Sequence, residues 1–261
     1  MLSFPRTRLD SGKRPRNLVA GPRREREVDV SILRGVDGCS AGWLAVSLDP
    51  RTGTVTPSIF NDAMALFSDS TVAVTAIDIP IGLPSGRRRT VDGEARRLLS
   101  PRGSTVFPAP VRATLAADSY QTASAASKVD CGRRLSKQTY AILPKIRDVD
   151  EALRQRPELR ALVWEVHPEL CFYNWAERQP MRYSKHSGFG FVERLELVRA
   201  VFGGAAEEIR SIIPGRLAAD DDILDALAAL WTAKRIHAGT AVRLPEMEER
   251  DACGLPMQML A

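Results

Sequence analysis

The stretch TVAVTAIDI, residues 71–79, decides how the rest of this chain is read. It is an almost unbroken apolar run, the pattern of a strand buried on both faces at the centre of a sheet. It closes on Asp78, and a carboxylate ending a buried strand is costly without a partner. Three strand signals precede it, over 31–37, 43–49 and 54–60. Trp43, Ala45 and Ser47 alternate with Leu44, Val46 and Leu48, and Pro50-Arg51-Thr52-Gly53 is turn chemistry. The three strands are therefore expected to form an antiparallel meander, followed by a short helix over 62–67 capped by Asn61.

Beyond Pro80 the texture changes. Residues 82–155 are rich in Gly, Pro and Arg and read as a basic, mainly helical insertion or cap. Helix is expected over 91–99 and over most of 119–155, with Pro144 bending or interrupting it. A fifth strand, 162–166, ends at His167-Pro168. Helices follow over 190–202 and 205–212, and Pro214-Gly215 breaks the chain. The last strong signal is an amphipathic helix over 220–237, capped by Asp220 or Asp221. Residues 244–260 read as irregular, with one edge strand. This order predicts an α/β fold with a mixed five-stranded sheet flanked by helices. Three strands are antiparallel, two more are parallel, and the insertion lies between strands four and five. In such a sheet the carboxyl end of strand one adjoins that of strand four, which brings Asp37 to Asp78.

The net charge of +5 is misleading. Residues 1–27 hold eight Lys/Arg against three Asp/Glu, so this tail carries the whole excess. It lacks hydrophobic periodicity and is expected to be disordered, leaving 28–261 as the folded domain. Within that domain residues 86–147 carry thirteen Lys/Arg against four Asp/Glu, so a basic segment faces an acidic remainder. The four cysteines form no C-x-x-C pair, which argues against a zinc site. No apolar run approaches a membrane span, and a cytoplasmic protein with free thiols is expected.

The acids carry the chemistry. Asp222 and Asp225 are spaced i, i+3 and share one helix face. Asp225 interrupts an apolar run, where a lone carboxylate is unfavourable. Carboxylates gathered closely repel one another, and a divalent cation removes that penalty. Hard oxygen donors favour Mg²⁺ or Mn²⁺, and a pair of such ions roughly 4 Å apart suits phosphodiester hydrolysis. Plainer roles compete. Asp37 precedes Gly38 and could be a turn residue. Asp220, Asp221 and Asp222 suit the first turn of any helix, an account that fits Asp225 least.

Several segments together resemble a known family: GVDGCSAGW (35–43), IDIPIGL (77–83), STVFPAPVR (104–112), LSKQTY (135–140), EVHPE (165–169), DDILDA (221–226) and GLPM (254–257). The chain resembles the predicted RNase H-like nuclease family, domain of unknown function 429. The acidic helix also resembles that of Holliday-junction resolvases. The resemblance implies an RNase H-like fold and metal-dependent nuclease chemistry on DNA or RNA.

The expected catalytic residues are Asp37, Asp78, Asp222, Asp225 and Glu165, the four aspartates also holding Mg²⁺ or Mn²⁺. Glu165 and His167 lie two apart on a strand and share a face, either at the acidic site or in a strand-end hydrogen-bond network. Arg112, Lys145 and His167 are the expected substrate contacts. Two alternatives stand beside this. One is a nucleotide-binding ATPase or kinase whose Gly38–Gly42 hairpin cradles phosphate. The other is a non-catalytic module that keeps the acids for structure.

Overall fold

The computed structural model describes residues 31–261. The expected disordered tail, 1–27, lies outside the described residues. In chain order the elements are β1 (Ile32–Cys39), β2 (Gly42–Asp49), β3 (Thr54–Phe60), α1 (Ala63–Leu66), β4 (Val72–Ile77), α2 (Thr90–Leu98), α3 (Tyr120–Cys131), α4 (Lys137–Ala141) and α5 (Leu143–Gln155). Then follow β5 (Val163–Glu165), α6 (Pro168–Trp175), α7 (Gly188–Phe202), α8 (Ala205–Ile212), α9 (Asp220–His237), β6 (Arg243–Leu244) and β7 (Met259–Leu260).

The main sheet has the order β3-β2-β1-β4-β5. β1, β2 and β3 pair antiparallel, while β4 joins β1 and β5 joins β4 in parallel. The mixed five-stranded sheet and the helical stretch between β4 and β5 are as expected. Two boundaries differ in a way that matters. β1 runs on to Cys39, so Asp37 is not a turn residue but pairs with Leu44 inside the β1–β2 ladder. β4 stops at Ile77, because Pro80 cannot continue a ladder, and Asp78 lies just beyond it.

Strand period assigns the faces. Leu33, Leu44, Val46, Val74 and Ala76 pack with α6 to α9 on one side. Val36, Trp43, Ala45 and Ile77 pack with α1 and α5 on the other, against Ile146, Val149 and Leu153. By the same alternation Asp37 and Asp78 share the α9 side. α9 reads as amphipathic but is buried at every residue from Ile223 to Leu230. It is enclosed because β1 and β4 lie along one side of it and α6, α7 and α8 pack around the rest. Trp175 of α6 stacks on Trp231 of α9 at 5.0 Å.

Five other expectations change. α1 is capped by Asp62 and not by Asn61, with Asp62 Oδ1 accepting from the Ala65 amide at 2.8 Å. Pro144 neither bends nor interrupts a helix: it sits in the first turn of α5, where its missing N–H is not needed, and the break falls at Ile142. α6 is an addition to the expected elements, with Pro168 and Glu169 as first-turn residues. α9 is capped at Ala219, not at Asp220 or Asp221. The single edge strand is instead a two-stranded sheet of β6 with β7. The four cysteines are free. Among the described residues no helix is long and apolar enough to cross a membrane.

Candidate functional site

Gly35 brings the acids together. A Cβ there would lie 2.1 Å from the Leu230 amide nitrogen and 2.2 Å from the Ala226 carbonyl oxygen. Only glycine lets the α9 backbone rest directly on β1. Asp225, one residue before Ala226, is thereby set down beside Asp37, two residues after Gly35. Asp78 arrives from the neighbouring strand: its amide donates to the Val36 carbonyl at 3.0 Å, continuing the parallel pairing of β1 with β4. Asp37, Asp78 and Asp225 line one cavity of about 320 Å³.

All three carboxylates are shifted upward from the ordinary carboxylate pKa. Burial raises Asp37 well above the usual range, and Asp78, Asp225 and Asp222 raise it further. Burial pushes Asp78 up to about 7 and Asp225 up to about 6, each opposed by the ammonium of Lys185. Lys185 Nζ donates to Asp225 Oδ2 at 2.8 Å. Its charge is reinforced, against its own burial, by Asp225, Asp78 and Asp37. Lys185 was not expected from the sequence. Its loop is fixed from several sides. Glu193 accepts from the amides of Arg182 and Tyr183, Arg102 donates to the Met181 carbonyl, and Gly190 lets α7 approach Ser184 closely.

Asp222 belongs to the rim. Its Oδ2 accepts from the Ala219 amide at 2.8 Å, capping its own helix, and it does not line the cavity. Among the described residues no three of His, Cys, Asp and Glu stand, as the side chains lie, in an arrangement that holds a metal ion. The reason is visible: Lys185 supplies the positive charge at Asp225, and Asp222 is turned to its cap. Were Lys185 to release Asp225 and the side chains to re-aim, Asp37, Asp78 and Asp225 would be the residues to hold a cation.

The other expected residues divide. His167 and Lys145 line the same cavity. Burial holds His167 below its usual pKa, and its buried Nδ1 has no hydrogen-bond partner among the described residues. Lys145 lies over the Trp43 ring at 4.7 Å and donates to the Gly42 carbonyl. Glu165 also lines this cavity, but its carboxylate is already engaged. Arg89 binds both its oxygens, at 2.7 and 2.8 Å, and the Ile81 amide adds a third bond at 2.6 Å. This is the strand-end network, and it anchors the start of α2 to β5. Of these residues Arg112 alone does not line the cavity: its guanidinium is taken up by Asp150 and Asp251. The hairpin offered as a phosphate cradle is tied down, with Ser40 Oγ donating to Leu217 O at 2.8 Å and the Ala41 amide to the same oxygen at 3.2 Å.

A mixed α/β sheet with carboxylates from β1, from just beyond β4 and from α9 gathered in one cavity is the class that fold and site define. Residues 35–250 match the family described as protein of unknown function DUF429, and the chain belongs to that family. No curated protein and no solved structure matches it.

Proposed function

We propose that this chain is a metal-dependent nuclease on an RNase H-like frame, cleaving phosphodiester bonds of DNA or RNA. One observation carries the reading: Asp37, Asp78 and Asp225 come from three separate elements into one cavity, and among the described residues only Asp225 of the three is in an ion pair. A fold that needed these acids only for structure would pair each of them, as Arg89 pairs Glu165 and Arg194 pairs Glu169. Here one lysine serves three carboxylates. The strand order and directions agree with the RNase H-like layout, which supports the frame.

The donor set suits a hard divalent cation such as Mg²⁺ or Mn²⁺. When bound, such a cation supplies Lewis-acid stabilisation of a phosphoryl oxygen and of an attacking water. Asp37, Asp78 and Asp225 would hold it. Lys185, freed from Asp225, would meet the anionic substrate beside Lys145. His167, with Nδ1 free of partners among the described residues, is placed to exchange a proton through that atom.

The test is cleavage of single-stranded, duplex, hybrid and branched substrates in Mg²⁺ or Mn²⁺. Activity lost in Asp37→Asn is the expected result. No cleavage of any substrate, or an unchanged rate in that variant, would overturn the reading.

A further inference from the structure

A second cavity, of about 140 Å³, is lined by Arg87, Arg88, Arg133 and Arg134. It borders the acid cavity. Three separate segments pass from one to the other: Arg89 lines the first and Arg88 the second, Phe107 the first and Pro108 the second, Ile142 the first and Thr139 the second. The two cavities are therefore lined by neighbouring stretches of the same chain segments.

The fold does not require these four arginines. Arg89, in the same run, is buried and paired twice over. Arg87 reaches Glu249 at 3.2 Å yet its side chain stays 62% exposed. Arg88, Arg133 and Arg134 are exposed and form no ion pair among the described residues. Guanidinium groups around one concavity repel each other, and an anion relieves that repulsion as a cation relieves the acids. Arginine presents planar donors that match phosphate oxygens.

Phe107 stands at the boundary between the cavities and is 44% exposed. Pro108 and Pro110 follow it closely, and their fixed φ stiffens the segment that carries it. An exposed aromatic ring beside a basic pocket is the arrangement that stacks an unpaired base while its backbone is held. A duplex hides its base faces, so such a ring selects a single strand.

We infer that this face binds single-stranded nucleic acid, one base stacked on Phe107 and a backbone phosphate held by Arg87, Arg88, Arg133 and Arg134. The inference rests on the nuclease reading only in placing the scissile phosphate over the acid cavity.

The experiment is fluorescence anisotropy with labelled oligo(dT), oligo(U) and a duplex of equal length. It is run in EDTA, so that binding is read without cleavage. Phe107→Ala and the double variant Arg133→Ala/Arg134→Ala change exposed side chains, and their melting temperatures check folding. Single strands should bind tighter than duplex. Each variant should weaken single-strand binding about tenfold. The double-arginine variant should also flatten the slope of log affinity against log salt by about 0.7 for each phosphate it no longer neutralises. Phe107→Ala should leave that slope unchanged. Preference for the deoxy or the ribo strand supports the inference and names the sugar. Equal or tighter binding of duplex, no binding of any strand, or wild-type affinity in both variants would overturn it. Cleavage in Mn²⁺ with binding untouched by the variants would leave the nuclease standing and remove this strand path. Variant-sensitive binding with no cleavage in any metal would do the reverse.

Discussion

Lys185 Nζ lies 2.8 Å from Asp225 Oδ2, the closest charge partner of an acid that α9 buries almost completely. The pair makes a positive side chain part of the acid cluster, so a cation entering the cluster, as proposed above, would have to displace this ammonium.

Lys185→Met should therefore destabilise the metal-free protein. Removing one partner of a buried pair costs about 3–5 kcal/mol, and the one-third exposure of Lys185 reduces this to about 2 kcal/mol. Millimolar Mn²⁺ should restore most of the loss, because a cation replaces the ammonium. Thermal melts in EDTA and in Mn²⁺ measure both effects. A variant that melts like the wild type in EDTA would show that the pair carries no weight.

Stability of the metal-free protein should depend on pH through the acids. Asp78 and Asp225 have folded-state pKa values of about 7 and about 6, above the ordinary 3.8, and Asp37 is raised as well. The native state then binds more protons than the unfolded chain between these limits. The contribution is fully present below pH 3.8 and is lost as pH rises through about 6 to 7. Asp78→Asn should consequently stabilise the protein at pH 7.5, by about 1 kcal/mol or more, and gain little at pH 4. Urea titrations of both proteins at the two pH values decide it. A wild-type minus variant difference that does not change with pH would contradict the shift.

Gly35→Ala should be among the most damaging small substitutions in the chain. Its Cβ would meet backbone atoms of Leu230 and Ala226, which cannot swing aside as a side chain would. Overpacking of this kind costs about 3 kcal/mol or more, a fall in melting temperature of about 10 °C. If the variant melts within two or three degrees of the wild type, α9 does not rest on β1 as described.

Glu165→Gln separates a structural carboxylate from a chemical one. The substitution leaves Arg89 buried with only Asp92 as an anionic partner and should cost about 3 kcal/mol. The affinity of the folded protein for Mn²⁺ should be unchanged. A large loss of that affinity would return Glu165 to the metal site.

Asp37, Asp78 and Asp225 were legible because each stands at a position that period and topology make conspicuous. Asp37 closes the apolar part of β1, Asp78 follows a buried strand, and Asp225 interrupts an apolar helix face. Lys185 was not, because its loop has no period and is held by tertiary contacts from Glu193 and Arg102. Arg87, Arg88 and Arg89 read as one basic run, yet only Arg89 turns inward. That choice depends on Glu165, seventy-six residues away, and not on local sequence. Arg112 misled for the same reason, since Asp150 and Asp251 claim it from distant segments. Asp222 was placed on the right face of the right helix, but the Ala219 amide needed a cap.

The packing of α9 on β1 also sets when the cluster can exist during synthesis. β1 is among the first described segments to leave the ribosome, and α9 follows nearly two hundred residues later. Domains fold as the chain emerges, but until Asp225 has been translated the sheet can offer only Asp37 and Asp78. The nascent chain therefore passes most of its elongation with an incomplete acid cluster, and any chemistry that needs all three carboxylates begins only once the last long helix is clear of the exit tunnel.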